Sequence, residues 1–173
     1  MCVAFSITKH LIFLILQAIV FLAVLIATPL DIYRSLFSDA CYTMWGYKPD
    51  CGSETIRTRW SCKQRRDTIS TAAAFAIISI FLALINSALA ALSLFCKMRL
   101  SNMILFLLSM LIVLTLMVCW ACIANVYNEP MCDKKRNKAI GDSYGYGVGF
   151  GLLLASWFVQ ILASVVSGVM VLF

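Results

Sequence analysis

Cysteines are the residues best able to do chemistry in this chain of 173 residues, which has eight of them and a single histidine, His10. Four cysteines fall in two polar stretches, where a thiol can form a disulfide, bind zinc or act in redox chemistry. They are Cys41, Cys51, Cys62 and Cys132. An even number favours two disulfides, and the sequence does not choose among the three possible pairings.

The rival chemistries find less support in the spacing. No CxxC pair lies in the polar stretches and His10 lies elsewhere, so we expect no metal and no cofactor. The one CxxC, Cys119 to Cys122, is inside an apolar run without an exposed helix N-terminus, which favours packing over redox work. Cys2 and Cys96 border apolar runs, where palmitoylation and an unmodified thiol are both open.

The amino-acid composition indicates whether the chain folds in water or in a membrane. Apolar residues make up 62% of the chain, charged residues 13%, and the mean hydropathy is +0.93, against about 45–50% and about 25% in soluble domains. A soluble enzyme, a disordered chain and a secreted disulfide knot are therefore excluded. The net charge of +6 lies in loops that flank apolar runs, which disfavours a nucleic-acid partner.

Four apolar runs reach the roughly 20 residues that a bilayer-spanning helix needs. They predict an all-α membrane protein, a single tetraspan domain over residues 1–173 folded as a four-transmembrane-helix bundle. A small disulfide-tied extracellular loop domain is expected on one side, with room for short β-strands in its first loop. The predicted spans are 11–28, 69–95, 103–126 and 145–173, the long outer loops are 29–68 and 127–144, and the inner turn is 96–102.

Two rules disagree about which side the long loops face. Eleven of the fourteen Lys and Arg residues lie on the loop side, and the positive-inside rule would place that side in the cytoplasm. Disulfides, however, persist in oxidising compartments. We follow the cysteines and predict a multi-pass protein of the plasma membrane with cytoplasmic termini and both long loops extracellular.

Small and polar residues are expected to hold the helices together in lipid. Residues four apart predict two packing stripes: Ser79, Ala83, Ser87 and Ala91 in the second span, and Gly147, Gly151 and Ala155 in the fourth. The glycine run 145–151 also has a strand-like period of two, but a helix is the expected form in lipid. The strong intramembrane polar residues are Gln17, Asn86 and Gln160, and no span carries a charge, which disfavours a proton-coupled transporter.

The first long loop contains a motif of eleven residues that runs from Cys41 to Cys51. It closely resembles the diagnostic motif of the amastins, surface proteins of trypanosomatid parasites. Ten of the eleven positions fit, and Met44 departs from it by an apolar exchange. The residues that carry the resemblance are Cys41, Tyr42, Thr43, Trp45, Gly46, Lys48, Asp50 and Cys51.

The resemblance extends along the chain, for instance to Cys62 with Arg65-Arg66-Asp67. It implies four spans, cytoplasmic termini and external loops. Amastins in turn resemble claudins distantly, and Gly46, Cys51 and Cys62 reproduce a claudin spacing. That likeness implies a Cys51–Cys62 disulfide and leaves Cys41 for Cys132.

The expected function is contact of the parasite surface with a host or opposing membrane through the outer loops, without catalysis. Trp45 and Tyr47 offer rigid contact area, but Trp45 could equally pack within the loop domain or anchor at the headgroups. The alternative function is a claudin-like channel or ion-handling oligomer. Expected partners are the lipid bilayer, a host-cell or opposing-membrane component, and further copies of the chain.

Two groups of residues bear on the surface chemistry. The basic loop residues suit anionic headgroups or acidic partners, or are simply solvated; they are Arg57, Arg59, Lys63, Arg65, Arg66 and 134–138. The amastins are called surface glycoproteins, yet this chain has no N-x-S/T site. N-glycosylation is therefore not predicted.

Overall fold

The computed structural model describes residues 2–52, 60, 62–95, 99–131 and 139–172. Four long helices dominate these residues: α1 (Cys2–Ala27), α2 (Lys63–Phe95), α3 (Arg99–Asn128) and α4 (Val148–Leu172). Each contains a stretch long and apolar enough to cross a membrane. The predicted four-helix membrane fold is confirmed.

The helix ends follow the local sequence. α1 and α3 end just before Pro29 and Pro130, which lack the backbone N–H that a helix needs. α2 begins at Lys63, earlier than predicted, because no glycine or proline interrupts the polar turns before the apolar run. Its 33 residues span about 50 Å, against a bilayer core of about 30 Å. The charged start of α2 therefore projects beyond the apolar layer.

The helices form a ring in which α1 and α3 each pack against both α2 and α4. One layer of the core, towards the long loops, surrounds Val20, Ala83 and Ile112. A second layer, towards the short turn, surrounds Phe13 and Leu105. Between α2 and α3, the Ser79 hydroxyl donates a hydrogen bond of 2.8 Å to Oγ1 of Thr115.

The buried face of α2 follows a different spacing from the predicted stripe. Ser79 and Ala83 are buried, but Ser87 and Ala91 are only half-buried. Four residues turn a helix through about 400°, so a row spaced by four drifts by about 40° at each step. Steps of three and four alternate instead, and the face continues through Asn86, Ala90 and Ser93.

The predicted stripe on α4 is wrong. Gly147 precedes the helix, and Gly151 and Ala155 are exposed. The buried face runs through Gly149, Leu153, Ser156, Gln160, Ala163, Ser164, Ser167 and Met170. The helical interpretation of residues 145–147 is also wrong, because Tyr144–Tyr146 is a β-strand. The backbone groups of Tyr144–Tyr146 are hydrogen-bonded to the neighbouring strand, Asp31–Ser35, instead of within a helix.

The long-loop side of the bundle carries a four-stranded antiparallel sheet of β1 (Asp31–Ser35), β2 (Cys41–Thr43), β3 (Tyr47–Lys48) and β4 (Tyr144–Tyr146). The strand order is β3-β2-β1-β4. A 3₁₀ turn at Ile140–Asp142 precedes β4. We call the sheet with its connections (residues 28–52, 60 and 139–147) the cap.

The sheet of the cap has a near end, at its junctions with α1 and α4, and an opposite, far end. β1 starts just after α1 ends, and Gly147, just before α4, donates a hydrogen bond of 2.8 Å to the Ile32 carbonyl. β1 then extends for about 13 Å from this junction, at about 3.3 Å per residue. We call residues 43–46, which join β2 to β3 at the near end, the base turn. Residues 36–39, which join β1 to β2 at the far end, are the tip loop.

Candidate functional site in the cap

The eleven-residue motif folds as a hairpin in which β2 and β3 flank the base turn. Cys41 pairs with Lys48 and Tyr42 pairs with Tyr47 across the two strands. After β3, Asp50 closes a small turn by accepting a hydrogen bond of 2.8 Å from the Gly52 N–H. The motif therefore encodes one local substructure.

The structure of the base turn explains why threonine and glycine occupy positions 43 and 46. The buried Thr43 hydroxyl accepts hydrogen bonds from the N–H groups of Trp45 (3.2 Å) and Gly46 (3.3 Å) and donates to the Gly46 carbonyl. Gly46 has φ 156°, a region almost restricted to glycine. A hydroxyl and a missing Cβ are the conditions for this turn.

Trp45 lies close to the bundle. The base turn and α2 line a pocket of about 470 Å³ whose walls include Trp45, Arg66 and Ile77. Because Ile77 belongs to the apolar part of α2, Trp45 is at the level where the span meets the cap. Its side chain is 48% exposed. Of the three roles left open for Trp45 (partner contact, packing within the loop domain and anchoring at the headgroups), this half-exposed position beside α2 favours the anchor.

The tip loop presents an apolar pair that the sequence reasoning missed. Leu36 is 64% exposed and Phe37 is 85% exposed. The backbone around them is fixed by bonds from the Ser35 N–H to the Ala40 carbonyl (2.9 Å) and from the Leu36 N–H to the Ser143 carbonyl (3.2 Å). The sequence did contain a signal for this pair, because two large apolar residues stand between the polar residues Ser35, Ser38 and Asp39 in a predicted outer loop.

An aromatic layer fills the space between the base turn and the tip loop. The Tyr33 hydroxyl donates a hydrogen bond of 2.5 Å to the Ile123 carbonyl of α3. Trp60 stacks on Tyr42 with ring centroids 4.5 Å apart. The layer contains all six tyrosines of the chain, at positions 33, 42, 47, 127, 144 and 146. Five of the six lie in the two predicted loops and Tyr146 lies at the start of the predicted fourth span, and the sequence reasoning did not use this clustering.

The electrostatics of this layer follow from its burial. Burial raises the pKa of Tyr33, Tyr42, Tyr144 and Tyr146, and neighbouring tyrosines add to the rise in each case. The Arg65 guanidinium opposes the rise in the pKa of Tyr33 and Tyr42. These four tyrosines are therefore neutral hydroxyls at physiological pH, and they serve as hydrogen-bonding and packing groups.

The loop cysteines are not paired as the claudin likeness implied. Cys62 is in a disulfide, whereas Cys41 and Cys51 are both free thiols. The implied Cys51–Cys62 bond is therefore absent from the structure. Cys132 lies outside the described residues, as do the predicted contact residues Arg57, Arg59 and 134–138. In the bundle, Cys119 is buried, Cys122 is half-buried, and both are free.

The three predicted intramembrane polar residues meet in one layer of the bundle. Gln17, Asn86 and Gln160 are fully buried, as is Ser109 of α3, so each helix contributes one residue. Asn86 donates 3.0 Å to the Ser109 hydroxyl, and Gln160 donates 3.3 Å to the Ser109 carbonyl. Both amide atoms of Gln17 lack a hydrogen-bond partner within the described part of the chain. The layer sits between the two apolar core layers and ties α2 and α4 to α3.

Four spanning helices with a small β-sheet cap define the class: a multi-pass membrane protein whose described loop structure lies on one side of the bundle. The family described as Amastin surface glycoprotein matches residues 18–166, nearly the whole chain. The chain therefore belongs to the amastin family and is a multi-pass surface membrane protein. That family is not a known enzyme family. No curated protein matches the chain significantly.

Proposed function

We propose that the chain is a non-catalytic contact protein whose cap lies outside the cell and touches an opposing membrane through the tip loop. The observation that carries this proposal is the exposure of Phe37, which is 85% exposed in the tip loop, at the opposite end of β1 from its junction with α1. The opposing membrane is that of a host cell or of another cell. The finer role goes beyond the family assignment and rests on the geometry of the cap.

The tip loop has the physical properties that membrane contact requires. Covering an exposed apolar pair such as Leu36 and Phe37 is favourable, because apolar surface is removed from water. The hydrogen bonds of Ser35 and Leu36 fix the loop backbone, so little conformational entropy is lost on contact. Small polar neighbours, Ser35 and Ser38, are hydrogen-bonded to each other and leave the two apolar side chains exposed.

Two observations support an exterior cap. The Cys62 disulfide belongs to the long-loop side, and disulfides are stable in oxidising compartments. The family is a surface family. Trp45 then lies at the outer boundary of the protein's own membrane, where it fixes the height of the cap, while the tip loop lies at the opposite end of β2.

The test compares the wild type with a Leu36→Ser/Phe37→Ser variant, each held in nanodiscs and measured by surface plasmon resonance against a supported phosphatidylcholine bilayer. Burial of a large apolar side chain contributes about 1.5–3 kcal/mol, so the variant should bind at least about tenfold more weakly. Ser38→Ala, in the same loop, is the matched control and should bind like the wild type. Equal binding of the double variant and the wild type would overturn the proposal. If the wild type bound to cells but not to the lipid bilayer, the partner of the tip loop would be a protein.

The alternative, a channel-like oligomer, would have to conduct between copies of the chain. The polar layer around Ser109 is covered on both sides by buried apolar residues, among them Phe13 and Leu105 on one side and Val20 and Ile112 on the other. Purified protein in planar bilayers should therefore show no conductance that depends on Gln17 or Gln160. A current abolished by Gln160→Leu would favour the channel.

A further inference from the structure

Cys41 and Cys51, the first and last residues of the motif, meet in the folded hairpin. Cys41 pairs with Lys48 across the strands, and beyond β3 the Cys51 N–H donates a hydrogen bond of 2.9 Å to the Asp39 carbonyl. The two backbone segments thus remain neighbours up to the cysteines. The Cys41 thiol is hydrogen-bonded to Cys51, which places the two sulfur atoms in contact.

The surroundings of the pair point to an oxidising environment. Cys62 belongs to the same side of the bundle and is already in a disulfide. Its partner is neither Cys41 nor Cys51, because both are free thiols. A compartment that keeps Cys62 oxidised also favours oxidation of the neighbouring Cys41 and Cys51 thiols, because all three cysteines experience the same redox poise.

We infer that Cys41 and Cys51 form a disulfide bond in the mature protein, which closes the eleven-residue motif into a ring around the base turn. The inference rests on the exterior cap of the proposed function. It selects one of the three pairings that the sequence left open, and among the four loop cysteines it leaves Cys132 for Cys62. The bond makes the motif a covalent clamp that fixes Trp45 at the boundary of the span.

The order of the chemical steps follows from exposure. Cys41 is 1% exposed, and burial, followed by the hydrogen bond to Cys51, raises its pKa to about 12. Cys51 is half-buried, so a disulfide of an exchange protein in the secretory pathway reaches Cys51 first. The Cys51 thiolate attacks that disulfide, forms a mixed disulfide and releases one thiolate. The Cys41 thiolate then attacks the Cys51 sulfur and expels the second thiolate of the exchange protein. Cys41 and Cys51 together lose two protons and two electrons, and the disulfide of the exchange protein is reduced to two thiols.

The test is peptide mapping by mass spectrometry of full-length protein from the cell surface, alkylated before lysis and digested without reductant. A peptide pair that links Cys41 to Cys51 supports the inference. Free Cys41 and Cys51 beside an oxidised Cys62 would overturn it and leave the exterior cap intact. Four alkylated loop cysteines would overturn both this inference and the exterior cap.

Two matched variants test the order of the steps. Cys41→Ser should leave Cys51 reactive, as a mixed disulfide with a small thiol or as a site of maleimide labelling on intact cells. Cys51→Ser should leave Cys41 at least about tenfold slower to label, because the remaining thiol is buried and has a raised pKa. Equal labelling of the two variants would contradict a Cys51-first route, and a Cys51 that pairs with Cys62 in the wild type would contradict the bond itself.

Discussion

The base turn and the tip loop terminate the same β-strand, β2, yet they meet opposite demands. Trp45 in the base turn is 48% exposed and faces α2, whereas Phe37 in the tip loop is 85% exposed. The Thr43 hydroxyl and the conformation of Gly46 define the base turn, whereas backbone bonds and exposed serines fix the tip loop. The residues that identify the family thus position the cap, and the surface best placed for contact lies outside the motif.

This contrast has an energetic consequence. At the near end, Gly147 approaches the Asp31 backbone closely and the Thr43 hydroxyl is buried, so substitutions there should lower the free energy of unfolding. At the tip loop, side chains face solvent, and substitutions should alter contact while the free energy of unfolding stays within about 0.5 kcal/mol.

The largest effect is expected for Gly147→Ala at the near end of the cap. A Cβ at this position would overlap the Asp31 carbonyl oxygen and lie 2.6 Å from its carboxylate. Overpacking against backbone costs about 3 kcal/mol, enough to remove most of the protein from the cell surface. The measurement is surface delivery on intact cells, together with thermal unfolding of purified protein in detergent.

Gly151→Ala is the matched control, because a Cβ there meets no atom within 4 Å. Alanine is the better helix former by about 1 kcal/mol, so this variant should be as stable as the wild type or slightly more so. If the two variants unfolded alike, the close approach of Gly147 to Asp31 would not be what docks the cap on α1 and α4.

These two glycines also show how far the sequence predicted the bundle. Four apolar runs sufficed for the number of helices and the fold class, because a bilayer imposes one length and one type of backbone structure. The contact faces were not predictable from residue spacing alone. Gly147 and Gly151 are equally small and four apart, but Gly147 bonds to Ile32 of β1 and belongs to the cap, whereas Gly151 belongs to α4.

In the cap, the sequence predicted a disulfide-tied loop domain with room for short β-strands, but not the direction of its hairpin. The residue types of the motif identified the family, and the structure shows that Thr43 and Gly46 form the base turn. Which end of the hairpin faces the helices depends on β4, which lies about a hundred residues away and pairs with β1. The same long-range pairing gathers Tyr144 and Tyr146 beside the first loop's tyrosines, so the aromatic layer was beyond local inference.

A smaller effect is expected for Thr43→Val in the base turn. Valine preserves the shape of the side chain but removes the hydroxyl that accepts the N–H groups of Trp45 and Gly46. Buried donors left without an acceptor cost about 1–3 kcal/mol, which should lower the unfolding temperature in detergent. Thr43→Ser retains the hydroxyl and should recover most of the loss.

The corresponding change at the tip loop is Ser35→Ala. The Ser35 hydroxyl accepts a bond of 3.3 Å from the Phe37 N–H and one of 3.0 Å from Ser38, at exposed positions where water replaces it. We expect a loss below about 0.5 kcal/mol. A loss as large as that of Thr43→Val would show that the tip loop also contributes to folding, and the division between the two ends would fail.

The smallest effect, absent at neutral pH, concerns the tyrosines between the two ends. Burial raises the pKa of Tyr33, Tyr42, Tyr144 and Tyr146 above the usual 10.0, whereas in the unfolded chain they titrate near 10.0. The folded state retains protons that the unfolded state releases, so the stability from their burial is complete below about pH 10 and is lost as the pH rises through the folded values. Tyrosinate absorbance should therefore increase late, together with unfolding. Tyr33→Phe should reduce the loss of stability at alkaline pH, while Phe37→Ser should leave it unchanged. Complete titration of the tyrosines near pH 10 with the helices intact would show that the aromatic layer is open to solvent. The base turn and the tip loop would then not be separated by a packed layer.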